Sequence, residues 1–380
     1  MNNIPVFKPL IQKEEINAVV KSLEVGWLGM GSNVKEFESQ IAKVCNLNAS
    51  LDKYVVAVST GHAAIHLALM TIGVGFGDEV ITPSFNNVAD FQAIKACGAS
   101  PVFVDIEKET LCIDHNKIEE AITSKTKCII VMDYDICLCN HDEIRKIADK
   151  HNIPILHDAA HSFGSFYKGI PIGNQHDYTI FSFDPVKTIT SIDGGAIIIK
   201  GIDHLKRLQA IRLIGMTQPA EQMYQNSRAW TYDVEELGYR YHLSNVHAAF
   251  GVEQIKKINN IRESRQKTCL DYYNRLKTLH WLYAPYTNFE YINPFLYYIR
   301  ILNGQRDELR EHMKNFGVDT GIHWQPGHTF SYFKNCLRKS LDITETISKQ
   351  ILSLPLHSLM CRDDSNRVIE SILDYDKNLL

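Results

Sequence analysis

Between residues 53 and 200, short apolar runs rich in β-branched residues alternate with amphipathic stretches. The runs at 54–58, 79–82, 102–104, 128–132, 153–157, 178–183 and 196–200 predict strands, and the spacing of apolar positions over 63–72, 88–97 and 142–151 predicts helices between several of them. Such alternation gives an α/β domain with a mostly parallel sheet, in which binding sites gather at strand-to-helix turns. Ahead of it, residues 13–23 predict a helix, and Gly26-Trp-Leu-Gly-Met-Gly31 is too glycine-rich to continue it. A long helical pattern over 244–279 leads out, followed by a strand at 295–302, a helix at 305–316 and a strand or loop at 321–328. The organisation is a large domain over residues 1–250 and a small α+β domain over 251–380, without internal repeats.

Composition narrows the function. The 380 residues carry a formal net charge of −4, so the chain lacks the basic field that draws proteins to nucleic acid or to anionic membrane. No apolar run reaches the roughly 18 to 20 residues needed to span a bilayer. The start has no basic stretch followed by a long apolar run, so no secretory signal is expected. Nine cysteines are scattered without a C-x-x-C pair, which points to reduced thiols in a cytoplasm. Small-molecule chemistry is the class that remains.

Lys187, in Phe181-Ser-Phe-Asp-Pro-Val-Lys187, and Asp158, opening Asp158-Ala-Ala-His161 at the end of an apolar run, suit pyridoxal 5'-phosphate together. A lysine amine forms a Schiff base with the cofactor's aldehyde, and a carboxylate against the ring nitrogen keeps that nitrogen protonated. Singly, each has a plainer reading. A lysine beyond a proline is usually a solvated loop residue, an Asp at a strand end usually caps the next helix, and a lone histidine is usually packed. Their joint occurrence favours the cofactor.

Further motifs extend the pattern in order: Phe37-Glu38, Ser59-Thr-Gly61, Gly77-Asp-Glu-Val-Ile-Thr-Pro-Ser84, Pro101-Val-Phe-Val-Asp105, Glu236-Leu-Gly-Tyr239, Gly321-Ile-His323 and Leu352-Ser-Leu-Pro-Leu356. Together they resemble the sugar aminotransferases of the DegT/StrS type, fold type I enzymes that use pyridoxal 5'-phosphate. The resemblance implies that Lys187 is the Schiff-base lysine, Asp158 the partner of the ring nitrogen and His161 the residue beside the phenolic oxygen. It places the phosphate on Ser182 and the backbone of Gly61, His62 and Ala63. The start of a predicted helix there suits an anion.

Several positions depart from the family pattern. His62 stands where a threonine is usual. Asn87 takes the place of the aromatic residue that stacks on the ring, with Phe85 as the alternative face. Asp184 replaces a frequent histidine and Ile192 a usual glycine. Arg240 stands where an asparagine reaches the neighbouring subunit's phosphate, which implies a homodimer with shared sites.

By the same resemblance, Trp27, Leu28, Gly29 and Met30 wall the substrate cleft, with His323, Trp324 and His328 opposite. Two histidines without a nearby carboxylate or cysteine make no metal set, and no metal is expected. Asp133-Tyr134 resembles the variant of enzymes that aminate C4 of a hexose. The implied reaction moves the amino group of glutamate to a nucleotide-linked keto-deoxysugar, for surface polysaccharide or other glycan synthesis. Amination at C3, dehydration of the sugar and a non-catalytic relative are the alternatives, and Lys187 argues against dehydration, where a histidine replaces it.

Overall fold

A computed structural model describes residues 3–217, 220–228 and 230–377. Helices α1 (Lys13–Val25) and α2 (Ser32–Val44) open the chain. The alternating part follows: β1 (Lys53–Val58), α3 (Gly61–Ile72), β2 (Glu79–Pro83), α4 (Val88–Ala96), β3 (Ser100–Val104), β4 (Thr126–Met132), α5 (His141–His151) and β5 (Ile155–Asp158). A small hairpin, β6 (Phe166–Tyr167) with β7 (Ile170–Pro171), leads to β8 (Tyr178–Ser182), β9 (Gly195–Lys200), α6 (Ile202–Ile211) and α7 (Ala220–Tyr224). The C-terminal part holds α8 (Asn245–Lys256), α9 (Ile258–Leu276), β10 (Leu282–Tyr283), β11 (Tyr297–Ile301), α10 (Arg306–Asn315), β12 (Leu337–Arg338), α11 (Asp342–Gln350), β13 (Ile351–Leu354) and α12 (Arg362–Lys377).

The main sheet has the order β1-β9-β8-β5-β4-β2-β3-β12, and all of its strands except β9 run in one direction. Strand residues alternate between the two sides. Cys128 and Ile130 of β4 join the cluster formed with α3 and α6, while Ile129 and Val131 join the one shared with β11 and β13. Burial on both sides explains why these strands read as unbroken apolar runs, and each fully buried Ile or Val contributes about 1.5–3 kcal/mol. A second sheet, β10-β11-β13, packs into the same core as β3 and β4.

Each strand expected between residues 53 and 200 forms, within two residues of its expected ends. One other reading changes. The pattern over 244–279 is two helices, α8 and α9, interrupted at Lys257, whose backbone leaves helical geometry (ψ 4°) while its amine bonds Gln12, Glu14 and Glu15. The boundary expected at residue 250 falls inside α8, and β12 returns from the C-terminal part to the edge of the main sheet. Residues 321–328, expected as a strand or loop, form a loop joined to β13 through the bridge Gly321–Ser353 and the His323–Ser353 hydrogen bond. Among the described residues, no helix is long and apolar enough to cross a membrane.

Candidate active site

The parallel strands end together, and their ends enclose a cavity of about 580 Å³ lined by Thr60, Gly61, His62, Asn87, Asp158, His161, Ser182, Lys187, Phe295, His323 and Trp324, among others. This is where an open α/β sheet places its ligand.

Helix α3 starts at the cavity wall. Thr60 caps it, its Oγ1 accepting from the Ala63 N–H at 2.9 Å, and its carbonyl accepts from Ala64. The N–H groups of Gly61 and His62 are thus the first-turn donors that the helix leaves over, as an anion site requires. Ala63 does not line the cavity, and its N–H belongs to the cap. Only glycine fits at 61, because a Cβ there would lie 2.7 Å from the Cβ of Ser182. The same packing brings the Ser182 hydroxyl to the helix start. His62 Nδ1 lies 3.1 Å from the Ala89 carbonyl, so Nδ1 carries the proton.

Lys187 lies in the loop after β8. A turn at Asp184, closed by the bond from Lys187 N to the Asp184 carbonyl (3.0 Å), aims the lysine back at the strand ends. Its Nζ sits 4.2 Å from the centre of the Phe295 ring. Burial lowers the amine to about 8, against the opposing pull of Asp158, Asp184 and Asp135. Asp158, almost fully buried, accepts the Ala160 N–H at 2.9 Å. Burial raises its carboxyl to about 6, although the Ala160 N–H, Lys187 and Asp90 draw it down.

His161 packs on Phe295, with ring centres 4.4 Å apart, and stacks towards Trp324. Burial, reinforced by Lys187 and His323, holds its pKa well below the ordinary histidine value, so the ring is neutral. His323, lowered to about 4 mainly by burial, bonds Ser353 Oγ at 3.0 Å. The Trp324 indole N–H is buried and has no partner among the described residues.

Of the remaining candidates, only Asn87 reaches the cavity. Asn87 lines the cavity, but its side-chain oxygen caps α4 through the Ala89 N–H. Phe85 is fully buried against Tyr134, away from the lining, and so offers no ring face. Tyr134 is also buried; its hydroxyl donates to the His323 carbonyl, so it reaches the cavity only through that residue. His328 bonds Ser84 Oγ outside the lining. The loop carrying Trp27, Leu28, Gly29 and Met30 folds onto Asn245 instead of the cavity, with Met30 in the core. Arg240 is exposed and also outside the lining. Unforeseen lining residues include Phe7, Phe295 and Asp193, none marked by a local sequence signal.

Beneath the site, Asp133, His141 and His157 bring candidate ligand atoms together. Asp133 already faces the Cys139 N–H, His141, His157 and the Ser162 hydroxyl, at 2.7 to 3.2 Å. Burial raises this carboxyl, but His157 and His141 outweigh it and hold it well below the usual range. It is a satisfied anion that ties β4 to β5.

Residues 9–373 match the model of the DegT/DnrJ/EryC1/StrS aminotransferase family. Among solved structures, the aminotransferase TlmJ from Streptoalloteichus hindustanus is 27% identical with a TM-score of 0.91, covering 99% of both chains. A protein from Streptococcus pneumoniae, described as a sugar aminotransferase and solved in its PMP form, is 27% identical with a TM-score of 0.89 over 100% of both. PseC from Helicobacter pylori, at 21% identity and a TM-score of 0.90 over 99% of this chain and 100% of its own, shares the fold. The chain belongs to the DegT/DnrJ/EryC1/StrS aminotransferase family and has its fold type I architecture.

Proposed function

We propose that this protein is a pyridoxal 5'-phosphate-dependent aminotransferase that passes the amino group of glutamate to a nucleotide-linked keto-deoxysugar, with C4 the favoured carbon. The observation that carries the reading is Lys187, its amine lowered to about 8, in one cavity with Asp158 and the uncapped start of α3. The residues fit the cofactor at each end: an anion for the ring nitrogen, and the Gly61 and His62 N–H groups with the Ser182 hydroxyl for the phosphate.

When bound, the cofactor supplies an aldehyde that takes up amines and a ring that stores the electron pair of a broken Cα–H bond. Lys187 would hold that aldehyde, and its free amine would be the base for the α-proton of the amino acid. Asp158 keeps the ring nitrogen protonated. Neutral His161 would orient the ring, with Trp324 and His323 lining the part of the cavity left for the sugar. The preference for C4 rests on the sequence pair Asp133-Tyr134 alone. A product of this kind serves surface polysaccharide or other glycan synthesis.

The assembly proposed is a homodimer with shared sites. Around Arg240, Trp230 is 88% and Leu237 71% exposed, an apolar stretch suited to a second copy. The cavity lining carries Asp184 and Asp193 and, among the described residues, no arginine, and Arg240 from a second copy would balance the charge of a bound phosphate. Mixing Lys187→Ala and Arg240→Ala subunits is expected to restore activity that neither has alone; no rescue counts against the shared site.

The substrate is tested by offering UDP-, dTDP- and GDP-linked 4-keto-6-deoxyhexoses with glutamate and reading the product by mass and NMR. Formation of a 4-amino sugar is expected. A product aminated at C3, or none, removes that part of the reading.

A further inference from the structure

Asp90, in the first turn of α4, is fully buried. Its Oδ2 accepts from the Asn86 side-chain amide, and its Oδ1 has no donor among the described residues. The Asp90 and Asp158 side chains are in hydrogen-bond contact. Ionised carboxylates only accept, so that contact requires a proton on one of them.

The surroundings decide which. Asp158 is faced by the Ala160 N–H, Lys187 and, as an opposing charge, Asp133; Asp90 is faced by the Asn86 amide, Asp158 and the Cys128 thiol of β4, with no cation among the described residues. The N-terminus of α4 favours a charge on Asp90, but burying a second anion against the first is the larger effect. Burial and the Asp158 charge push the Asp90 carboxyl well above its ordinary value, whereas Asp158 rises only to about 6.

Resting on the functional reading above, we propose that Asp90 is a neutral carboxylic acid that donates its O–H to Asp158, so that the ring nitrogen meets an acid–carboxylate pair. Asp90 is a positioning residue acting through Asp158: its hydrogen bond stabilises the charged form and keeps Asp158 ionised to lower pH than burial alone permits.

The test is the affinity of the apo-protein for pyridoxal 5'-phosphate, read by absorbance at a series of pH values. In the wild type, affinity falls on acidification through pH about 6. Asp90→Ala removes the donor and moves that fall upward by about one unit, while Asp90→Asn, whose amide still donates, moves it by a small fraction of that. If Asp90 were ionised, deleting its charge would ease the ionisation of Asp158 and move the fall downward in both variants. That result, or no movement in Asp90→Ala, overturns the proposal.

Should the wild type bind no cofactor at any pH, the functional reading fails on its own, and the infrared spectrum of the apo-protein decides the state of Asp90. A neutral-carboxyl band at neutral pH that loses intensity in Asp90→Asn supports the assignment, with Asp135, also raised by burial, accounting for any that remains. No band in the wild type, or an unchanged one in the variant, overturns it. The wild-type spectrum keeps the test decisive even if Asp90→Ala does not fold.

Discussion

Burial sets the charge of Lys187 and Asp158 in opposite directions, and their proximity limits both shifts. A lysine lowered to about 8 is free base above that pH and an ammonium below it. The rate at which apo-protein captures added pyridoxal 5'-phosphate is therefore expected to rise with pH about a midpoint near 8, followed by stopped-flow absorbance. A midpoint near the ordinary lysine value of about 10.4 would show that the cavity does not tune the amine. Both residues were legible in the sequence because the chemistry demands their types and each follows an apolar run. Asp90 and Phe295 were not: their roles come from contacts with residues far away in the chain, and no local pattern marks a buried Asp inside a helix. Phe85 and His328 mislead for the same reason, since an aromatic or histidine near a motif gives no information on where its ring points.

At the scale of elements, the α3 start serves folding and, on the function proposed, would also bind the phosphate. Thr60→Ala deletes a cap and is expected to destabilise the apo-protein by about 1 kcal/mol in urea unfolding. Gly61→Ala must push α3 away from Ser182, so its affinity for pyridoxal 5'-phosphate should fall roughly tenfold, equivalent to about 1.4 kcal/mol; unchanged affinity would remove this helix start from the phosphate site. The strands were legible as short, unbroken apolar runs, the signature of burial on both sides. The break between α8 and α9 was not, because it depends on Lys257 reaching α1 across the fold. Helix α2 also escapes a local reading, since its buried Val34, Phe37 and Ile41 gain meaning only against α8 and β1.

At the scale of the molecule, a buried network ties α2 to β1 and α7. Arg212, with no exposure, donates to Glu38 Oε1, the Ala57 carbonyl and the Tyr224 hydroxyl at 2.7 to 2.8 Å, and Glu38 also accepts from the Ala57 N–H. Arg212→Ala leaves Glu38 as an unpaired buried anion, and a loss of about 3–5 kcal/mol in unfolding free energy is expected; a change below 1 kcal/mol would show the site to be wetter than it looks. The sequence offered Phe37-Glu38 only as a motif, and the fold supplies its physical reason. The proposed chemistry turns on one lysine as the cofactor's anchor. The most direct test is to load the protein with pyridoxal 5'-phosphate, reduce with borohydride, digest and locate the adduct by mass spectrometry. An adduct is expected on the peptide carrying Lys187 and none in Lys187→Arg, whereas an adduct on another lysine, or none in the wild type, would rule Lys187 out as the anchor.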